Sequence, residues 1–210
     1  MKNYQCLILL LLLFISFLGF GQSNKFDIQV EGGPSRISVY NSRNIYHKPT
    51  LNGFTGGVYL NYNINKHQSI KSGISYERKG YMQSLNLITS TGRQVYEDDI
   101  YLDYLVVPLL IHAKFGSKLR FFVNGGPYLG YLVNQQFISR DYPQIIETNV
   151  TGKKIELGIS TGIGCHFPIN KLLSFTVEVR NNLTITTIYN GDNLSSNSTN
   201  FLFGISHHLK

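Results

Sequence analysis

Charged residues stand at every second position inside otherwise apolar stretches of this sequence. Glu178 and Arg180 are two apart within the run Leu173 to Leu183, and Glu156 sits between Ile155 and Leu157. Lys71 and Glu77 share one parity in the run from Gln68, and Arg120 opens the apolar run that follows Gly116 and Ser117. On a β-strand, residues two apart share a face. One face of several strands therefore carries acids and bases together. Such groups can pair as buried salt bridges, line an ion path, or act as general acid and base. Glu77, Arg120, Glu156, Glu178 and Arg180 are the candidate set, read as structural charges of a packed interior. The same face also holds Lys25, Asp27, Glu31, Lys71, His112, Lys114, Lys154, His166 and His208. Both signs occur in similar number, which favours pairing.

Catalytic and metal constellations are not assembled by spacing. Of the six histidines, His207 and His208 are adjacent, so on a strand they point to opposite faces and cannot share an ion. His47 alone falls in a long connection, without a serine and carboxylate at a spacing that suggests a triad. Gly125-Gly126-Pro127 precedes no helix and is not a phosphate loop. No catalytic, cofactor-binding or metal-binding residue is assigned, and no cofactor is expected. The chain is read as not an enzyme. The alternative is an outer-membrane lipid-modifying enzyme.

The elements that position these charges are strands. Tyr104 to Phe115 and Lys118 to Tyr131 form two apolar arms around Gly116 and Ser117, each of a length that suits a tilted membrane-crossing strand. Six more segments alternate with period two: 25–32, 54–62, 68–80, 154–167, 172–183 and 201–209. Short turns at Asn63–Lys66, Phe115–Lys118 and Pro168–Lys171 alternate with long connections at 33–50, 81–99, 134–152 and 189–200. Leu85, Leu87 and Ile88 suggest that one of these is a projecting hairpin. Pro108 and Pro127 fall within strands, where a bulge is expected at each. Eight antiparallel strands avoid free edges by closing into an up-and-down barrel.

Composition agrees with an all-β chain: 15% charged residues, with 20 Gly, 14 Tyr and 13 Phe in 210 residues. Residues 1–21 have the anatomy of a cleaved secretory signal peptide, with Lys2, the apolar run Leu7 to Leu18, and small residues before Gln22. Residues 22–210 form one barrel domain. The net charge of +7 comes from scattered Lys and Arg with no dense basic helix, so no nucleic-acid partner is expected.

Alternation alone does not say which face meets lipid. A soluble, lipocalin-like barrel would turn its apolar face inward to a ligand. Three features favour a membrane barrel: short turns on one rim with long connections on the other, aromatic residues (Tyr62, Tyr76, Phe115, Tyr131, Phe167) near strand ends, and a polar face rich in glycine. The transmembrane eight-stranded antiparallel barrel is therefore the expected fold. Its partners are outer-membrane lipids and, through the long connections, envelope or secretion proteins.

Tyr104-Leu105 followed by Pro108-Leu109-Leu110, Lys114-Phe115-Gly116, and Phe121 to Gly130 with Gly125-Gly126-Pro127-Tyr128-Leu129-Gly130 resemble the PorT-like outer-membrane β-barrel family. The resemblance spans the mature chain. It implies a small barrel in the outer membrane of a Gram-negative bacterium, of which one branch serves protein secretion.

Overall fold

The computed structural model describes residues 25–40, 50–89, 92–116, 119–139, 145–146, 153–188 and 194–209. The expected signal segment and His47 lie outside the described residues. The strands are β1 (Phe26–Tyr40), β2 (Leu51–Asn63), β3 (Gln68–Thr89), β4 (Gly92–Phe115), β5 (Arg120–Ser139), the two-residue β6 (Ile145–Ile146), β7 (Ile155–Pro168), β8 (Leu173–Thr184) and β9 (Ser195–His208). Each pairs antiparallel with its neighbours. The sheet closes where β1 meets β9, from Asp27↔His208 to Tyr40↔Ser195. β6 only adds a short ribbon to the far end of β5, through Phe137↔Ile146. The result is a closed eight-stranded barrel whose wall closes on itself, and among the described residues the extension of β3 and β4 toward Thr89↔Gly92 runs beyond its neighbours.

Apolar side chains point out from the middle of every wall. Val30, Val58, Ile74, Leu109, Val123, Ile159, Val179 and Phe203 are all exposed. Each would cost roughly 1.5–3 kcal/mol relative to burial if it faced water. Tyr62, Phe115 and Phe167 border this belt at the short-turn rim, and Tyr131 borders it at the other. The lipocalin-like alternative fails here, because the inward residues are Gln29, Asn61, Lys71, Glu178 and their neighbours.

Most strands run further toward the long-connection rim than the alternation suggests. β1 continues to Tyr40, β3 and β4 pair out to Thr89↔Gly92, and β9 begins at Ser195. The expected projecting hairpin is therefore the continuation of two wall strands. Beyond the belt the polarity of the faces reverses. Ile37, Val39, Leu51, Ile100 and Leu102 are buried inside, while Arg36 and Asn52 are exposed outside. The extension follows the pattern of a water-soluble sheet.

The expected bulges are corrected. Register runs unbroken through Pro108↔Tyr128 and Pro127↔Ile159, and the one shift in that ladder falls between Asp103 and Tyr104. Asp103 faces Asn134 while Tyr104 faces Leu132, which leaves Val133 as the extra residue of β5. Proline removes a single ladder donor, and flanking bonds hold the register. Glycine helps at two such places. A side chain on Gly33, before Pro34, would meet the Phe201 carbonyl oxygen at 1.9 Å, and one on Gly126, before Pro127, would meet that of Leu109 at 2.0 Å.

Two of the short turns are copies. The side-chain oxygen of Asn65 accepts from the backbone N–H groups of His67 and Gln68, each at 2.8 Å. That of Asn170 accepts from Leu172 and Leu173 at the same distances. An asparagine bonding its own backbone two residues on is an Asx turn, which sets both hairpins locally. In the third turn Gly116 takes φ 92°, the left-handed conformation that glycine allows.

Candidate functional site

The lumen holds two layers of buried charge. In the first, Glu178 and Arg180 lie on β8, Lys71 on β3 and Glu31 on β1. Arg180 grips Glu178 through Nε and Nη2, both at 2.7 Å. Its Nη2 also lies 2.7 Å from Glu31 Oε1. Lys71 Nζ donates to Glu31 Oε2 at 2.7 Å and reaches Glu178 Oε2 at 3.4 Å. Asn124 donates to Glu178 Oε1 at 2.8 Å, and Gln29 to Glu31 Oε2 at 2.6 Å. The Tyr59 ring lies 4.4 Å from Lys71 Nζ, and its hydroxyl accepts from Arg180 at 3.2 Å. Two acids and two bases balance, and each charge meets opposite charges contributed by other strands.

The second layer lies nearer the long-connection rim. Lys79, fully buried on β3, donates to Glu156 and to the Tyr128 hydroxyl, the latter at 3.1 Å. Its Nζ is 3.9 Å from Glu77 Oε2 and 4.8 Å from the centre of the Tyr128 ring. Glu77 accepts from Asn182 at 2.9 Å, from Asn200 at 3.2 Å and from the Ser198 hydroxyl. One ammonium thus serves two carboxylates, and amides and hydroxyls supply the remaining donors.

Inward glycines make room for these groups. A β-carbon on Gly130 would come within 2.5 Å of the Glu156 side chain, and one on Gly162 within 2.8 Å of Glu178 Oε1. The Tyr128 ring fills the space over Gly158, and the Phe122 ring that over Gly164. The glycine-rich face is therefore a set of slots for large neighbours across the ladder. Phe122 also stacks between His112 and His166, at 5.1 and 4.5 Å.

Above the charge layers sits an apolar cluster of Val39, Tyr81, Ile100, Leu102, Tyr104, Val106 and Tyr128, with Ile188 and Leu194 from the connection between β8 and β9. Phe137 packs against it. The bulge at Val133 explains this, because an extra residue moves the inward set of β5 to the other parity.

Of the five candidate charges, Glu77, Glu156, Glu178 and Arg180 are buried, and they divide between the two layers. Arg120 differs: it is exposed at the short-turn mouth, since it is the first residue of β5 and solvent reaches the end of the barrel. Lys79 is missing from the candidate set, although its parity follows Lys71 and Glu77. Cys165 faces outward by alternation but is covered by neighbours, with 9% exposure.

A closed barrel with an apolar, aromatic-bordered exterior and a charged interior defines a transmembrane β-barrel of the outer-membrane kind. The model of the outer membrane protein beta-barrel domain family matches residues 20–190, and the chain belongs to that family. Among solved structures it is similar to Neisserial surface protein A, at 13% identity over 89% of this chain and 97% of that one, with a TM-score of 0.52. Others are the attachment invasion locus protein of Yersinia pestis (12%, 87% and 98%, TM-score 0.46) and OprG from Pseudomonas aeruginosa (10%, 87% and 95%, TM-score 0.46). The first likeness concerns the fold alone. No curated protein matches the sequence.

Proposed function

We propose that this outer-membrane barrel is non-enzymatic, that its lumen is sealed by side chains, and that its long connections carry recognition or assembly at the cell surface. The observation that carries the reading is the pairing within the lumen. Glu31, Lys71, Glu178 and Arg180 spend their charge on one another, and Lys79 spends its own on Glu156 and Glu77. Groups so occupied hold walls together and offer no free base or nucleophile. Outer-membrane lipids surround the apolar belt. The PorT-like resemblance of Tyr104 to Gly130 supplies the finer expectation of an accessory to secretion or envelope organisation, with protein partners in the envelope; the scattered Lys and Arg favour no nucleic-acid partner. Export through cleavage of residues 1–21 belongs to the same reading.

The enzyme alternative is tested by lipid chemistry. Mass spectrometry of lipid A and phospholipids from deletion and overexpressing strains should show the same acyl chains and headgroups. A species that disappears on deletion and accumulates on overexpression would establish a lipid-modifying activity instead.

A further inference from the structure

The short-turn end of the barrel opens into a cavity of about 690 Å³. Its size lies within the range of ligand pockets, roughly 300–1,000 Å³. Five cations line it: Lys25, Lys66, Lys114, Arg120 and Lys171. Among the described residues the only carboxylate in the lining is Asp27, which already binds His208 Nδ1 at 2.6 Å and the Asn63 amide at 2.9 Å. Lys114 donates to the neutral Asn63 side-chain oxygen at 2.7 Å. Among the described residues, Lys25, Lys66, Arg120 and Lys171 make no salt bridge. The two layers above carry one more acid than base, whereas this mouth carries a clear positive excess.

The twin turns build that excess. The same Asx geometry places Lys66 directly after Asn65 and Lys171 directly after Asn170, and both lysines line the cavity. The residue before each asparagine is an isoleucine. Ile64 and Ile169 are 51% and 62% exposed at the turn tips. Short turns of outer-membrane barrels face the periplasm.

We propose that this mouth is a binding site for an acidic peptide segment presented from the periplasm. Arg120 offers a planar fork suited to a carboxylate, and the lysines supply point charges around it. Ser174 and Ser206 can meet a peptide backbone, while Ile64 and Leu172 can meet an apolar side chain. A phosphate ion would leave most of such a cavity empty. Phospholipid headgroups would select cations on the outer wall, whereas these five line the interior of the mouth. The assignment of a periplasmic source rests on the membrane orientation above; the binding chemistry does not.

The probe is a fluorescein-labelled hexapeptide of alternating glutamate and leucine. Its anisotropy is followed with full-length protein in zwitterionic nanodiscs, which leave both rims open to solution, so sidedness does not affect the result. Saturable binding is expected, weakened at least about tenfold by Arg120→Gln with Lys171→Gln, and by a roughly tenfold rise in salt. Both substituted residues are exposed, and retained heat-modifiable migration would verify that the variant barrel folds. Absence of binding to wild type, or equal binding to variant and wild type, overturns the proposal. So does displacement by equimolar inorganic phosphate, which would make the mouth a small-anion site. Loss of peptide binding when phosphatidylglycerol is added to the discs would assign the mouth to lipid headgroups and overturn it as well.

Discussion

Replacing Glu178 with Leu destabilises the folded barrel by roughly 3–5 kcal/mol, the usual cost of removing one partner from a buried ion pair. The loss is large because Glu178 faces two cations. It takes both nitrogen contacts from Arg180 at 2.7 Å and lies 3.4 Å from Lys71. Without it, Glu31 is left as the one carboxylate between two buried cations, and the Asn124 amide loses its acceptor. Urea titration of the protein in micelles, monitored by tyrosine fluorescence, measures the change. The double variant Glu178→Leu with Arg180→Leu should recover more than half of the loss. It returns the layer to one acid and one base, and apolar replacement of a complete buried pair is often neutral. Single variants as stable as wild type would mean that the pair does not seal the lumen.

Lys79→Met has a comparable expected effect, again roughly 3–5 kcal/mol, for the opposite reason. It leaves Glu77 and Glu156 buried with no cation, while Tyr128 loses both a hydrogen bond and a cation over its ring. Methionine fills nearly the same length, so the cost is one of charge rather than of a cavity. Adding Glu156→Gln to Lys79→Met should restore a substantial part of the stability, because an amide can still bond the Thr184 hydroxyl without carrying charge. If that second change gives no recovery, the layer is held by packing instead.

Alternation made the membrane belt legible. Within it one face is apolar and the other polar, so strand existence, closure and the inward parity of Glu77, Glu156, Glu178 and Arg180 could be read from spacing. Three features hid the rest. Beyond the belt the preferred faces exchange, so Ile37 and Val39 turned inward look like a break in the pattern; they continue β1. Val133 adds one residue to β5 and sets Tyr131, Leu132 and Val133 in a row, which reads as the end of a strand. Gly33-Pro34 looks like punctuation and Gly126-Pro127 like a bulge, yet the register passes through both without a shift. Lys79 shares the parity of Lys71 and Glu77 within 68–80, so its inward face is legible; its depth is not, because β3 continues to Thr89 and carries Lys79 well inside the barrel. The location of Arg120 needed the third dimension. Parity gives the face of a residue but not its depth, and depth separates a buried lumen charge from a solvated one at the mouth.

Planar-bilayer recording on purified, refolded protein tests the sealed lumen most directly. Eight strands enclose only enough space for side chains, and here that space holds two charge layers beneath an apolar cluster. Wild-type protein should insert without a steady conductance above the bilayer baseline, and the Glu178→Leu variant should bring at most brief flickering openings. A stable ohmic conductance from wild type, scaling with salt concentration, would show a continuous water-filled path and contradict the sealed lumen.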